Sequence, residues 1–242
     1  MEDIKELKKR KKQEKKEKKK ILKKEKKERN RILNMPPQRG VLEEIGNSIT
    51  HGVGALLGIA GLVLLILKAS TAYGIVAGIV YGASIFLMML ASCLYHSFKC
   101  DSKVKRVFRR FDYIGIYLLI GGTFAPIFLV YQGGLLGLIL FIIQWAAIIT
   151  GIVFVSIFGP GRVKLLNFIL YFVIGWSGLI FIPSFIKNNI NLFYMILLGG
   201  IAYTLGMIPF TMKKSKVAHF IWHFFVLVGA IIHFFGIYFL LY

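Results

Sequence analysis

Ala218-His219-Phe220-Ile221-Trp222-His223 opens an apolar run that continues to Tyr242. The spacing predicts a helix with His219 and His223 on one face, about 6 Å apart along the axis, close enough to share one metal ion. A run of this length crosses about 30 Å of hydrocarbon as a helix. Ionisable side chains at such depth are costly, so a His pair there points to a functional site whose other members come from other helices.

The rest of the chain agrees with a membrane setting. Of its 242 residues, 57% are hydrophobic, and the mean hydropathy of +0.69 is too high for a soluble domain of this size. Apolar runs near Ser48–Leu67, Ala72–Phe98, Asp112–Tyr131, Leu135–Phe158, Val163–Ile186, Leu192–Phe210 and Ala218–Leu241 each have about the length needed to span a bilayer. The expected fold is therefore all-α, a seven-transmembrane helix bundle. Residues 1–40 form a separate basic tail, a Lys/Glu tract without a face to bury, read as a solvated helix or disordered segment. The membrane domain is residues 41–242.

Charge gives an orientation. Of 31 Lys and Arg, 18 fall before residue 40 together with seven of the 11 acids, so the tail carries +11 of the net +20. Alternate connections hold Lys99, Lys103, Lys105, Arg106, Arg109 and Arg110, then Arg162 and Lys164, then Lys213, Lys214 and Lys216, against only Lys68 and Lys187 on the opposite side. The positive-inside bias then expects a cytoplasmic N-terminus and an outside C-terminus. No signal peptide is visible, and Cys93 and Cys100 suggest no disulfide framework. Gly54 with Gly58, and Gly74 with Gly78 and Gly82, are small-residue steps that let helices approach. Pro126 is expected to kink the third span.

This topology gathers polar residues at one end. His96 closes the second span, Asp112 opens the third, and His219 and His223 open the seventh, all expected within the cytoplasmic leaflet. Three imidazoles suit zinc, which in catalytic sites keeps a fourth position for water. Ser92 lies one turn before His96 on the same face and can orient a ligand or polarise a carbonyl. Asp112 can hold the water or act as general base; taken alone, it reads equally as an interfacial N-cap or a salt bridge to Arg109 or Arg110. Each histidine taken singly is also a hydrogen-bonded packing residue. Glu44, Asn47 and His51 share a helical face at the cytoplasmic entrance, in a supporting, lipid-headgroup or capping role. His233, about 15 Å beyond His223, is too far for the same ion.

The motifs Glu44-x-x-Asn47-x-x-Thr50-His51, Ser92-x-x-x-His96, Asp112 followed by Gly121-Gly122-Thr123-Phe124-Ala125-Pro126, and His219-x-x-x-His223 occur in one order over residues 43–242. As a set they resemble the hemolysin III proteins and, through them, the progestin and adipoQ receptor family. The resemblance implies an intramembrane zinc on the residues matching His96, His219 and His223, with Asp112 and Ser92 at the water, and a slow hydrolysis of ceramide-like lipid amides. It also admits a pore-forming haemolysin with structural zinc, or a membrane-fluidity sensor without catalysis. The leading expectation is a zinc-dependent hydrolase of membrane lipid amides or esters, in the cell membrane, acting in lipid homeostasis. Its expected partners are membrane lipids as substrate and anionic lipid headgroups at the basic tail. No specific nucleic acid and no protein hormone is expected.

Overall fold

A computed structural model describes residues 2–212 and 217–242, so Lys213, Lys214 and Lys216, which enter the charge argument, lie outside the described residues. The chain divides into Met1–Met35 and Pro36–Tyr242. The first unit is one helix, α1 (Glu2–Leu33), exposed along its described length. Lys and Glu surround it without an apolar stripe, so it holds itself by local terms such as Arg10–Glu6 at 3.5 Å and Arg31–Glu28 at 3.4 Å. Exposed pairs of this kind contribute only a few tenths of a kcal/mol each.

The second unit is a helical bundle, with no strand among the described residues. Its helices are α2 (Val41–Lys68), α3 (Ala72–Ser97), α4 (Lys103–Pro126), α5 (Gly134–Phe158), α6 (Lys164–Gly175), α7 (Ile182–Asn188), α8 (Ile190–Thr211) and α9 (Ala218–Leu240). Seven stretches are long and apolar enough to cross a membrane, the third being Lys103–Gln132 and the fifth Lys164–Asn188. The protein is thus a multi-pass membrane protein. Leu, Ile, Val and Phe side chains line the outside of these helices, as lipid-facing surfaces require.

Small residues set the packing. A Cβ on Gly58 would stand 2.9 Å from the backbone nitrogen of Phe86, and one on Gly82 would stand 2.6 Å from Cα of Leu62. These two contacts fix α2 and α3 as an antiparallel pair in near backbone contact. Gly46, Gly54 and Gly61 of α2 face Phe220, Leu227 and Phe234 of α9 in turn, so those two helices run parallel and start at the same end. Gly206 against Phe225 and Gly236 against Met195 fix α8 and α9 as antiparallel. The starts of α2, α4 and α9 and the finish of α3 are thereby collected at one end, called the site end below.

Two spans depart from plain helix. Pro126 has no N–H to donate, and the chain passes from α4 into a π-helical turn over Ile127–Gln132 that ends on Gly133 at φ 61°. The turn is packed inside the bundle through Ile127, Phe128 and Leu129. The fifth span breaks after Gly175 into a 3₁₀ turn, Ser177–Phe181, before α7 resumes it. There Ser177 donates to the carbonyl of Ile174 at 2.7 Å and Gln144 donates to Ser177 at 3.1 Å. Broken backbone at membrane depth is tolerated where protein groups satisfy it in this way.

The α2–α3 contact gives a direct test. Gly82→Leu must drive the two backbones apart and is expected to lower thermal stability in detergent by a few kcal/mol, in the range of overpacked cores. Gly40→Ala, where nothing lies within 4 Å, should leave the melting curve unchanged.

Candidate metal centre

Each of the three imidazoles reaches the site end from a helix that the glycine contacts have positioned. His96 lies on the last turn of α3, and His219 and His223 on the first two turns of α9. Their ligand nitrogens all lie within 4.8 Å of one another. His223 Nε2 and His219 Nε2 are 3.1 Å apart. The edge of a tetrahedron with metal–nitrogen bonds of 2.0–2.1 Å is about 3.3 Å, so the pair is already near the spacing that one small divalent ion imposes.

The partners of the rings decide which nitrogens are free. His96 Nδ1 is 2.5 Å from Glu44 Oε2, and Asn47 Nδ2 is 3.4 Å from the same nitrogen. A carboxylate accepts, so the His96 proton sits on Nδ1. That leaves Nε2 bare, buried and without a hydrogen-bond partner. His223 Nδ1 is 3.0 Å from His51 Nδ1, which directs the other nitrogen of His223 to the triad. A histidine whose far nitrogen is fixed by a carboxylate or a second ring is the usual arrangement of a metal ligand. The residues therefore fit a divalent ion, and the three imidazoles can hold one.

Glu44 is itself held. Lys105 donates to Glu44 Oε1 at 2.8 Å and to the carbonyl of Phe98 at 3.0 Å, with its side chain only 1% exposed. A lysine so deeply buried is tolerated because both partners are acceptors and one carries the opposite charge. By charge pattern alone Lys105 belongs with the loop cations. The helix beginning at Lys103, with Ser102 capping it through Lys105 N, turns its side chain inward instead. Arg39, on the segment just before α2, also points in, with Nη1 3.4 Å from Tyr95 Oη and Nε 3.7 Å from Glu43. No motif spacing announced either cation; each becomes visible only when the helix ends are placed.

Asp112 stands outside the triad but beside it, with Ser92, His96, Arg39 and Arg109 as its polar and charged neighbours. It is not a helix cap, since α4 begins at Lys103 and its cap is Ser102. Ser92 Oγ is buried next to the carboxylate without an aligned partner of its own. His51, 2% exposed, meets the triad directly through His223. His233 does not join the triad. It bonds the carbonyl of Ile196 at 3.0 Å.

Asp112, Ser92, His219 and His223 open onto one elongated cavity of about 190 Å³. At the site end it is lined by Pro37 and Arg39, and at the far end by Phe185 and Phe193. Between them the wall is mainly aromatic and aliphatic, with Thr123, Asn167, Tyr203, Thr204 and His233 set into it. A mostly apolar chamber with a few convergent polar groups is the usual form of a small-molecule site.

Known proteins are similar to this chain over most of its length. The chain is 42% identical over 203 residues to Hemolysin-3 of Bacillus cereus, which covers 82% of this chain and 92% of that protein. It is 40% identical over 203 residues to a Hemolysin-3 homolog of Bacillus subtilis, covering 82% and 94%. A more distant likeness, 25% over 207 residues and 83% and 85% of the two chains, is to the human monocyte to macrophage differentiation factor. The sequence model of the family described as haemolysin-III related matches residues 40–234, which hold all three imidazoles, Glu44, Ser92 and Asp112. The chain belongs to the haemolysin-III-related family.

Proposed function

We propose that this protein is a zinc-dependent hydrolase of the acyl amide or ester linkage of a membrane lipid, with its basic tail and its site end on the cytoplasmic side. The observation that carries the reading is the meeting of three imidazole ligand nitrogens within 4.8 Å, beside a carboxylate and a hydroxyl, at the mouth of an apolar cavity. A divalent ion bound there supplies a water ionisable near neutral pH and polarises an acyl oxygen.

The remaining work falls to side chains of the chain. Asp112 takes the proton of the attacking water and returns it to the departing amine or alcohol. Ser92 donates its hydroxyl to the oxygen on which charge develops. Glu44 and His51 hold the rings of His96 and His223, and Lys105 holds Glu44 in place. The apolar cavity takes the acyl chain and excludes water from it. The positive-inside excess supports the orientation, and a scissile bond at the headgroup level suits a lipid better than a soluble substrate.

A pore is the second reading, favoured by the name Hemolysin-3 of the two Bacillus relatives. It predicts dye leakage from liposomes that persists in His219→Ala and His223→Ala.

Purified wild type incubated with total cell lipid is expected to deplete one acyl-linked class and release fatty acid, read by mass spectrometry. Asp112→Asn should slow release by about 10²-fold or more while keeping its metal. Full metal occupancy with no lipid consumed would overturn the reading. Glu44→Gln and Lys105→Met each should weaken metal binding by about 10- to 100-fold, the usual effect of losing a ligand's supporting partner. Chelator competition measures it, and unchanged affinity would remove both residues from the site.

A further inference from the structure

Deep in the cavity, away from the imidazole triad, lies a second polar group that the proposed chemistry does not use. His233 is 6% exposed and lines the cavity together with Tyr203 and Thr123. The Tyr203 and His233 rings meet edge to face with centroids 5.4 Å apart. Tyr81, fully buried, stands behind them next to Tyr203 and Thr123. His233 Nδ1 and Tyr203 Oη are buried without a hydrogen-bond partner, whereas Tyr81 Oη has Thr123 beside it. Folded proteins leave few such atoms unsatisfied, because each costs its full desolvation.

The two cavity-lining rings are accommodated by glycines. A Cβ on Gly199 would collide with the His233 ring, and one on Gly229 would stand 2.8 Å from Tyr203 Cε1. Only glycine at these positions lets the rings lie between α8 and α9, so a polar ring is admitted where an aliphatic side chain would fill the same interface without orphaned atoms.

The hydrogen-bond pattern fixes what is missing. His233 Nε2 is 3.0 Å from the carbonyl oxygen of Ile196, which can only accept, so the ring proton is on Nε2. Nδ1 is then a bare lone pair, and its partner must bring an O–H or N–H. Thr123 spends its own proton on the carbonyl of Leu119 at 2.8 Å, and with the Tyr81 hydroxyl beside it only its second lone pair is left to accept from a guest. A hydroxyl fits the group as a whole: it donates to His233 Nδ1 and accepts from Tyr203.

We propose that His233, Tyr203 and Thr123 form a second binding subsite that selects a long-chain amphiphile bearing a hydroxyl partway along its chain. The inference takes from the proposed function only the direction of the chain, with the head at the imidazoles and Arg39. Ten residues of α9 separate His223 from His233, about 15 Å of rise. An extended chain covers that distance in on the order of a dozen carbons, given bonds of ~1.5 Å in zigzag.

The test is binding to the full-length protein in detergent, measured by competition and native mass spectrometry, with octadecanoic acid and its 2-hydroxy and 12-hydroxy forms. Wild type is expected to prefer the 12-hydroxy acid by roughly fivefold to tenfold, the scale of one net hydrogen bond. Both His233→Phe and Tyr203→Phe should lose the preference while still binding octadecanoic acid and keeping their metal. If His233→Phe does not fold, Tyr203→Phe decides by the same criterion. Equal binding of the three acids by wild type, a preference for the 2-hydroxy form, or a 12-hydroxy preference that survives the substitutions would overturn the proposal, the first outcome meaning that the group holds water only. Because binding is read without turnover, a wild type that hydrolyses lipid but shows no 12-hydroxy preference defeats the subsite alone, and a wild type that shows the preference but hydrolyses no lipid defeats the hydrolase alone.

Discussion

Glu44 is gripped from two sides, by His96 on α3 and by the buried ammonium of Lys105 on α4, and this three-helix clasp orders the site end. Lys105 is buried and Glu44 only partly so, and removing the carboxylate leaves the ammonium stranded at a cost of up to about 3–5 kcal/mol. The clasp therefore ties the ends of α2, α3 and α4 to one another. It also determines chemistry, because it fixes the His96 proton on Nδ1 and turns a bare Nε2 toward α9. A contact that pins three helices thus also prepares a ligand.

The approach of α9 depends on a different kind of constraint. Gly46, Gly54 and Gly61 give α2 a smooth face along which Phe220, Leu227 and Phe234 of α9 lie. In lipid there is no hydrophobic drive between helices, so close packing of this sort carries the association. It brings His219 and His223 level with His96, while His51 of α2 meets His223 at its other ring nitrogen. Small residues and buried polar residues divide the labour: the first set how near the helices come, the second set their register.

Much of this was legible in the chain because membrane spans are long, apolar and bounded by charge. The seven runs, and the placing of His96, His219 and His223 toward one end of the bundle, follow from span length and alternation of direction; that the three rings meet is added by the structure. The calculation fails where a residue's role depends on a helix end. Asp112 looked like the start of the third span, but the helix begins at Lys103 and draws Lys105 inside, because Ser102 caps it and Glu44 offers a partner. Arg39 looked like part of a soluble tail, yet it turns back to Tyr95 and the cavity. Pro126 announced a kink; the chain absorbs the missing donor in a π-helical turn, which no local pattern specifies. The orphaned atoms of Tyr203 and His233 are invisible in the chain for the same reason, since burial without a partner is a property of packing.

The whole account depends on a divalent ion between α3 and α9. Elemental analysis of wild type purified without chelators, beside His96→Ala, His223→Ala and His233→Ala, tests it most directly. About one equivalent of zinc per chain in wild type and in His233→Ala, with loss from both of the other variants, is the predicted result. A wild type without metal, or variants at His96 and His223 that retain a full equivalent, would contradict it.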